Sequence, residues 1–207
     1  MKRAARLALA LVLLAGLLLP GLAKADNSRP IQLSLVPSVQ LFPEDTAIHG
    51  VRLAIAGRNS EVMGLDFGIA LLTKGPFSGL AMGIANVVDG DVAGLQWSFV
   101  NYTRANVQGM QWGFYNSAAN MKGLQWGMVN IADADFNGWQ WGAANLVQKG
   151  HSEGFLWGLV NVTEDMNGFQ LGLVNMTNTM HGLQIGLVNV IKSKDSLPIL
   201  PIVNWMF

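Results

Sequence analysis

Three histidines, His49, His151 and His181, are the residues of this 207-residue chain best suited to general-base or metal chemistry. Each falls at or near a predicted turn, with no second histidine at ligand spacing, whereas a metal centre needs several His or carboxylate ligands converging on one point. The acidic pairs Glu44-Asp45, Asp133/Asp135 and Glu164-Asp165 have the oxygens for calcium. Their spacing lacks the regularity of a calcium-binding roll, and solvated turn charge accounts for them. Lipid hydrolysis at a membrane would need a Ser, a His and an orienting polar group on one surface. Ser98 stands inside a predicted strand with no His at matching height in a neighbouring unit, and Ser117 and Ser152 have no better claim. No catalytic, cofactor-binding or metal residue is assigned, and the expectation is a protein that is not an enzyme and takes no cofactor.

The elements that would position any site are set by a repeat. Its plainest copy is Gly123-Leu124-Gln125-Trp126-Gly127-Met128-Val129-Asn130. It recurs from Gly94, Gly109, Gly138, Gly154, Gly168 and Gly182, and more loosely from Gly50, Gly64 and Gly79, with starts 14 to 16 residues apart. A period that short holds one long strand and a turn, or one coil of a β-solenoid. Taken by twos, one face reads Met121, Gly123, Gln125, Gly127, Val129, Ile131 and the other Lys122, Leu124, Trp126, Met128, Asn130, Ala132. This is a strand pattern. A helix would carry two interior glycines per unit, each costing about 1 kcal/mol relative to Ala. The linkers, among them Asp89-Gly90-Asp91, Asp133-Ala134-Asp135 and Thr163-Glu164-Asp165, are turn chemistry. Asp66 is the main charge outside them, where other units have Gln.

The first 25 residues read as a secretory signal peptide. Lys2, Arg3 and Arg6 form a basic start, Leu7 to Leu19 is almost wholly apolar, and Ala23-Lys24-Ala25 presents small residues for cleavage after Ala25. The apolar run is shorter than the roughly 20 residues of a spanning helix. The domain is then 26–207. It retains all 13 acidic residues but loses Lys2, Arg3, Arg6 and Lys24 from 13 basic ones, leaving a charge of −4. A mildly acidic chain without a basic cluster is not expected to bind nucleic acid. The chain has no Cys, hence no disulfide and no thiolate metal site.

Two architectures accommodate these strands. In the first, ten motif strands, a segment at Ile31 to Val39 and a closing segment at Ile199 to Phe207 make an antiparallel outer-membrane β-barrel of about twelve strands, each repeat supplying one strand. Leu, Trp and Met would face lipid, with Gly and Gln inside. Bacterial barrels have even strand numbers, and the closing Val203-Asn204-Trp205-Met206-Phe207 looks like a barrel's C-terminal signal. Against the barrel, Trp97, Trp112, Trp126, Trp141 and Trp157 fall at mid-strand, whereas membrane barrels place Trp at the interfaces. The apolar triplet also spans only roughly 16 Å. The alternative is a parallel β-solenoid, with Asn101, Asn116, Asn130, Asn145, Asn161, Asn175 and Asn189 laddered at a corner and the tryptophans inside. The strand count and the terminal Phe favour the barrel.

The Gly-Leu-Gln-x-Gly-Leu-Val-Asn unit resembles a family of bacterial surface repeat-containing proteins. The match runs from Ile31-Gln32-Leu33-Ser34-Leu35, through Leu41-Phe42-Pro43-Glu44-Asp45-Thr46 and Gly50-Val51-Arg52-Leu53, to Leu200-Pro201-Ile202-Val203-Asn204-Trp205. Ser98 for the second Gly, Leu156 for Gln and Ala143-Ala144 before Asn145 are local departures. The resemblance implies an exported, surface-associated protein and carries no catalytic or ligand-binding residues. The expected function is that of an outer-membrane or surface β-repeat protein with a structural, surface-interaction or small-pore role. The alternative is a secreted or displayed solenoid serving as a binding or adhesion module. Outer-membrane lipid, and surface ligands or glycans, are the expected partners.

Overall fold

The computed structural model describes residues 28–207, and the expected signal peptide at 1–25 lies outside them. The described residues form sixteen strands and no helix: β1 (Arg29–Val36), β2 (Val39–Gln40), β3 (Ala47–Asn59), β4 (Glu61–Thr73), β5 (Phe77–Val88), β6 (Val92–Thr103), β7 (Asn106–Trp112), β8 (Tyr115–Ala118), β9 (Asn120–Trp126), β10 (Val129–Ala132), β11 (Phe136–Trp141), β12 (Ala144–Val147), β13 (His151–Trp157), β14 (Val160–Leu171), β15 (Val174–Ile191) and β16 (Ile199–Met206). From β3 to β15 every pairing is parallel and in register with the repeat, so Gly123 lies beside Gly138, Gln125 beside Gln140, Trp126 beside Trp141 and Asn130 beside Asn145. The molecule is a parallel β-solenoid of about ten turns, not an antiparallel barrel. The transmembrane strands and lumen expected of a barrel are absent from the described residues.

The local reason is a break in the alternation. Gln125 and Asn130 are both fully buried, yet they are five residues apart, an odd number. A straight strand would put them on opposite faces. The chain bends at Gly127-Met128, so one repeat is two arms of a folded coil rather than one membrane-length strand. The twelve units counted in the sequence are coils and caps. The drift in period is confined to the turns. Each coil runs ten residues from its first glycine to the last buried residue of its short arm, as in Gly109–Ala118, Gly123–Ala132 and Gly138–Val147. Two, three or four turn residues then follow, before Met121, Phe136 and Ser152 respectively.

The first glycine of each coil forms a spine, and its identity is a steric requirement. Ten spine glycines, from Gly50 to Gly182, have φ between 125° and 154°. This is a region that side-chain-bearing residues rarely occupy. A Cβ on Gly138 would fall on the carbonyl oxygen of Gly123 in the coil before it.

The interior is thin and half polar. Apolar residues such as Val107, Met121, Phe136 and Met166 fill it beside the turns, with Ala118, Ala132 and Val147 opposite. Gln and Asn occupy the remainder, and stacking pairs most of their amide groups, though neither amide atom of Asn86 has a partner. Gln111 Nε2 donates to Gln96 Oε1 at 2.9 Å, Gln125 to Gln111 at 2.8 Å and Gln140 to Gln125 at 2.7 Å, each toward the N-terminal coil. The Asn column donates the other way, Asn116 Nδ2 to Asn130 Oδ1 at 2.9 Å and Asn130 to Asn145 at 2.9 Å. Each such Asn Nδ2 also meets a bend carbonyl, Trp126 O for Asn116 and Trp141 O for Asn130, both at 3.0 Å. An in-register parallel stack is what brings identical amides within bonding reach.

Leu156 interrupts the Gln column between Gln140 and Gln170, and Gln140 Oε1 has no partner. A glutamine there regains bonds worth about 1 kcal/mol each against the lost apolar burial. Leu156→Gln is therefore expected to stay within about 1 kcal/mol of the native stability. Leu156→Ala is expected to lose about 2–5 kcal/mol to a cavity. Urea unfolding followed by circular dichroism measures both, and equal losses would show that the column has no preference for an amide.

The same column carries an ion pair at its N-terminal end, where Gln32, Arg52, Asp66 and Ala81 follow one another. Arg52 forks onto Asp66, with Nε to Oδ1 at 2.7 Å and Nη2 to Oδ2 at 2.6 Å, both side chains fully buried. Burial pushes the Asp66 carboxyl above its ordinary value, and the hydrogen bonds and charge of Arg52 pull it back.

Both ends of the stack are capped. β1 pairs parallel with β3 and carries β2 as an antiparallel flap, while β16 turns back antiparallel on β15. Capping keeps open edges from recruiting other strands. The closing segment read as a barrel signal is thus a cap, and Phe207 stands edge-on to His181 with ring centroids 6.1 Å apart.

Candidate binding surface

The bend edge of the solenoid is apolar along its whole length. At its crest stands one residue per coil: Ile55, Ile69, Ile84, Phe99, Phe114, Met128, Ala143, Leu159, Leu173 and Leu187. The nine large ones are 48–68 % exposed. The sequence forces this. The crest residue follows the bend glycine (Ser98 or Ala54 in two coils), where the side chain can only point away from both arms. In eight consecutive coils, from Gly79 to Ile191, the ten residues between the spine glycine and the end of the short arm include no charged side chain.

One step down the long arm lies the tryptophan row. Trp97, Trp112, Trp126, Trp141 and Trp157 stack face to face with centroids 5.1, 5.0, 5.0 and 4.7 Å apart and planes within 11°. They are 39–46 % exposed. The tryptophans face outward, as the barrel reading alone would have had them, and the placement of Trp inside a solenoid is corrected. The interior is too thin for indoles and is already occupied by Gln and Asn. Because Trp112, Trp126 and Trp141 have both faces covered by neighbours, this row offers ring edges outward. Phe99 and Phe114 stack likewise at 4.9 Å.

The opposite, turn edge is polar and bonded along the stack. Asn106 Nδ2 donates to Asp91 Oδ1 at 2.8 Å, Asn120 Nδ2 to Asn106 Oδ1 at 2.7 Å, the Asp135 amide to Asn120 Oδ1 at 2.9 Å and the His151 amide to Asp135 Oδ1 at 2.9 Å. His151 Nδ1 meets Asp165 Oδ2 at 2.7 Å. The Thr179 hydroxyl, with His151, holds the Asp165 carboxyl below its ordinary value. An open groove of about 720 Å³ runs beside this ladder, past Phe77, Gln108, Lys122 and Glu153.

The residues singled out for chemistry do not converge. His49 pairs with Glu61 at 3.2 Å, His151 with Asp165, and His181 faces Phe207. All three lie on the turn edge or the arm position beside it. Ser98, Ser117 and Ser152 are buried within the coils, and Ser98 Oγ and Ser152 Oγ have no bonding partner. Glu44 holds Lys74 at 3.0 Å, and that contact sets its carboxyl below the ordinary value. Among the described residues no group of three or more His, Cys, Asp or Glu side chains gathers as a metal site. Sequence reasoning treated the crest as part of a single apolar triplet and missed it as a surface of its own. The signal was present in the charge-free ten-residue stretch of every later coil.

Comparison with protein-family models, with curated proteins and with solved structures finds no match to this chain.

Proposed function

We propose that this chain is an exported bacterial surface protein that works as a binding module without catalysis of its own, the solenoid acting as a stiff mount for its bend edge. The observation that carries this reading is the uncovered apolar crest, running over ten coils, with the tryptophan row that flanks five of them. Contiguous exposed apolar surface on this scale marks an interaction site. The signal-peptide pattern of residues 1–25 and the likeness of the tandem unit to bacterial surface repeat proteins support export and display.

The test is fractionation of cells producing the full chain. Wild type is expected in the cell envelope and accessible to protease added to intact cells. A variant carrying Ile69→Glu, Phe114→Glu and Leu173→Glu is expected to be folded and released from the envelope. Retention of that variant at the wild-type level would overturn the reading.

A further inference from the structure

We infer that the partner of the bend edge is a lipid bilayer, into which the solenoid lowers its crest while the turn edge stays in water. This rests on the binding-module reading above and names the partner.

The shape of the apolar surface selects a fluid partner. It is a convex ridge with an apolar flank on each side. Trp97 to Trp157 lie on the long-arm flank, and exposed Tyr102, Val160 and Val188 lie on the short-arm flank. A second copy of this chain presents the same ridge, and two ridges laid together cover one flank each and leave the other wet. Acyl chains cover the crest and both flanks at once. The ridge spans nine steps between ten coils, about 43 Å at the ~4.8 Å strand spacing. Charge follows the same division, since the ten-residue stretches of eight coils have none and the turns hold it. That is the amphipathic arrangement of elements that lie in a membrane interface, with the apolar face sunk about 5–10 Å.

The backbone of the bend is fit for such burial. Hydrocarbon penalises every unbonded peptide group, and here the ladder continues around the corner. The Gly127 amide donates to Trp141 O at 3.0 Å, and the Met128 and Val129 amides to Phe114 O at 2.9 and 3.0 Å. The Asn130 amide side chain adds a second donor to Trp141 O at 3.0 Å. The interior asparagines thus complete the hydrogen bonding of the edge that enters lipid. The stacked indoles, one step from the crest and partly exposed, sit where a membrane protein places Trp, at the boundary of headgroup and acyl chain. This accounts for tryptophans that a spanning strand would carry at the wrong depth.

The experiment is vesicle flotation of the chain from Asp26 onward, because residues 1–25 read as a signal peptide and the apolar Leu7–Leu19 segment would itself bind vesicles. Vesicles are pure phosphatidylcholine, or phosphatidylcholine with phosphatidylglycerol. Wild type is expected to float with both, with little dependence on salt, and its Trp emission should be quenched by brominated acyl chains. Ile69→Glu, Phe114→Glu and Leu173→Glu together should abolish flotation. Ser78→Glu, Gln108→Glu and Asn167→Glu, the same charge placed on the turn side, should leave it unchanged. Circular dichroism checks that both triple variants are folded. Wild type remaining with the unfloated protein overturns the lipid assignment. Floating only with anionic vesicles in low salt overturns it too, as does crest-dependent dimerisation in place of flotation. If the crest variant is still released from cell envelopes in any of these cases, the binding-module reading survives with a protein or glycan partner.

Discussion

Gly138→Ala is expected to unfold the solenoid or to cost it about 2–6 kcal/mol, against the roughly 5–15 kcal/mol that holds a typical domain together. Two effects add. Alanine at the φ of 138° found there is strained by about 1–3 kcal/mol. Its Cβ also falls on the Gly123 carbonyl oxygen and approaches Gly123 N at 3.1 Å, both rigid backbone. Making room for that methyl costs about 1–3 kcal/mol more. The second glycine column is the internal comparison, because it already accepts a Cβ in Ala54 and Ser98. At Gly83 the nearest atoms to an added Cβ are Gly68 O at 2.7 Å and the flexible end of Leu71 at 3.3 Å. Gly83→Ala should therefore cost less than half as much as Gly138→Ala. Urea unfolding monitored by circular dichroism reads both, and equal losses would refute the special role of the spine.

Removing Asp66 is the second large effect. Arg52 is fully buried and commits its guanidinium to Asp66, to Leu72 O at 2.8 Å and to Thr73 Oγ1 at 3.3 Å. Asp66→Ala leaves that cation unpaired, which costs about 3–5 kcal/mol. The later coils place Gln in this column, so Arg52→Gln together with Asp66→Gln should recover most of the loss and extend the amide ladder by two rungs. The pH dependence has a definite sign. A carboxyl whose folded pKa is raised adds stability below its unfolded pKa and loses it as pH rises through the folded value. Relative to the double glutamine variant, the wild type should therefore be strongest in acid and lose ground as Asp66 ionises. Thermal melts of the two proteins across that range measure it, and an opposite trend would mean that Arg52 outweighs burial at this pair.

Much of this was legible in the residues. Alternation by twos placed Gln125 inward and Leu124 and Trp126 outward, and both assignments hold on the long arm. Extending that alternation through Gly127 put Asn130 on the outer face, and this is where the straight-strand reading failed. The spacing of Gln to Asn, five residues in each of the six units that carry both, was the available sign of a bend. A bend of that kind is set by contacts to the next coil, as in the bond from Asn130 Nδ2 to Trp141 O, which no single repeat contains. The even strand count and the terminal Phe pointed to closure because caps and coils look alike when counted along a chain.

The sequence alone determined the unit: its glycine positions, the inward Gln of its long arm and the confinement of charge to the turns. Each is a consequence of local pattern, which a period of two and turn chemistry express within about ten residues. Whether successive units lie parallel or antiparallel was decided only in three dimensions. A single repeat is compatible with either pairing. The parallel stack alone seats each spine glycine against the backbone of the one before it and brings Gln to Gln and Asn to Asn at 2.7–2.9 Å. The apolar crest is likewise a property of the stack. One exposed Met or Leu per coil is an ordinary surface residue, and nine large apolar side chains along one edge, broken at Ala143, are an interface.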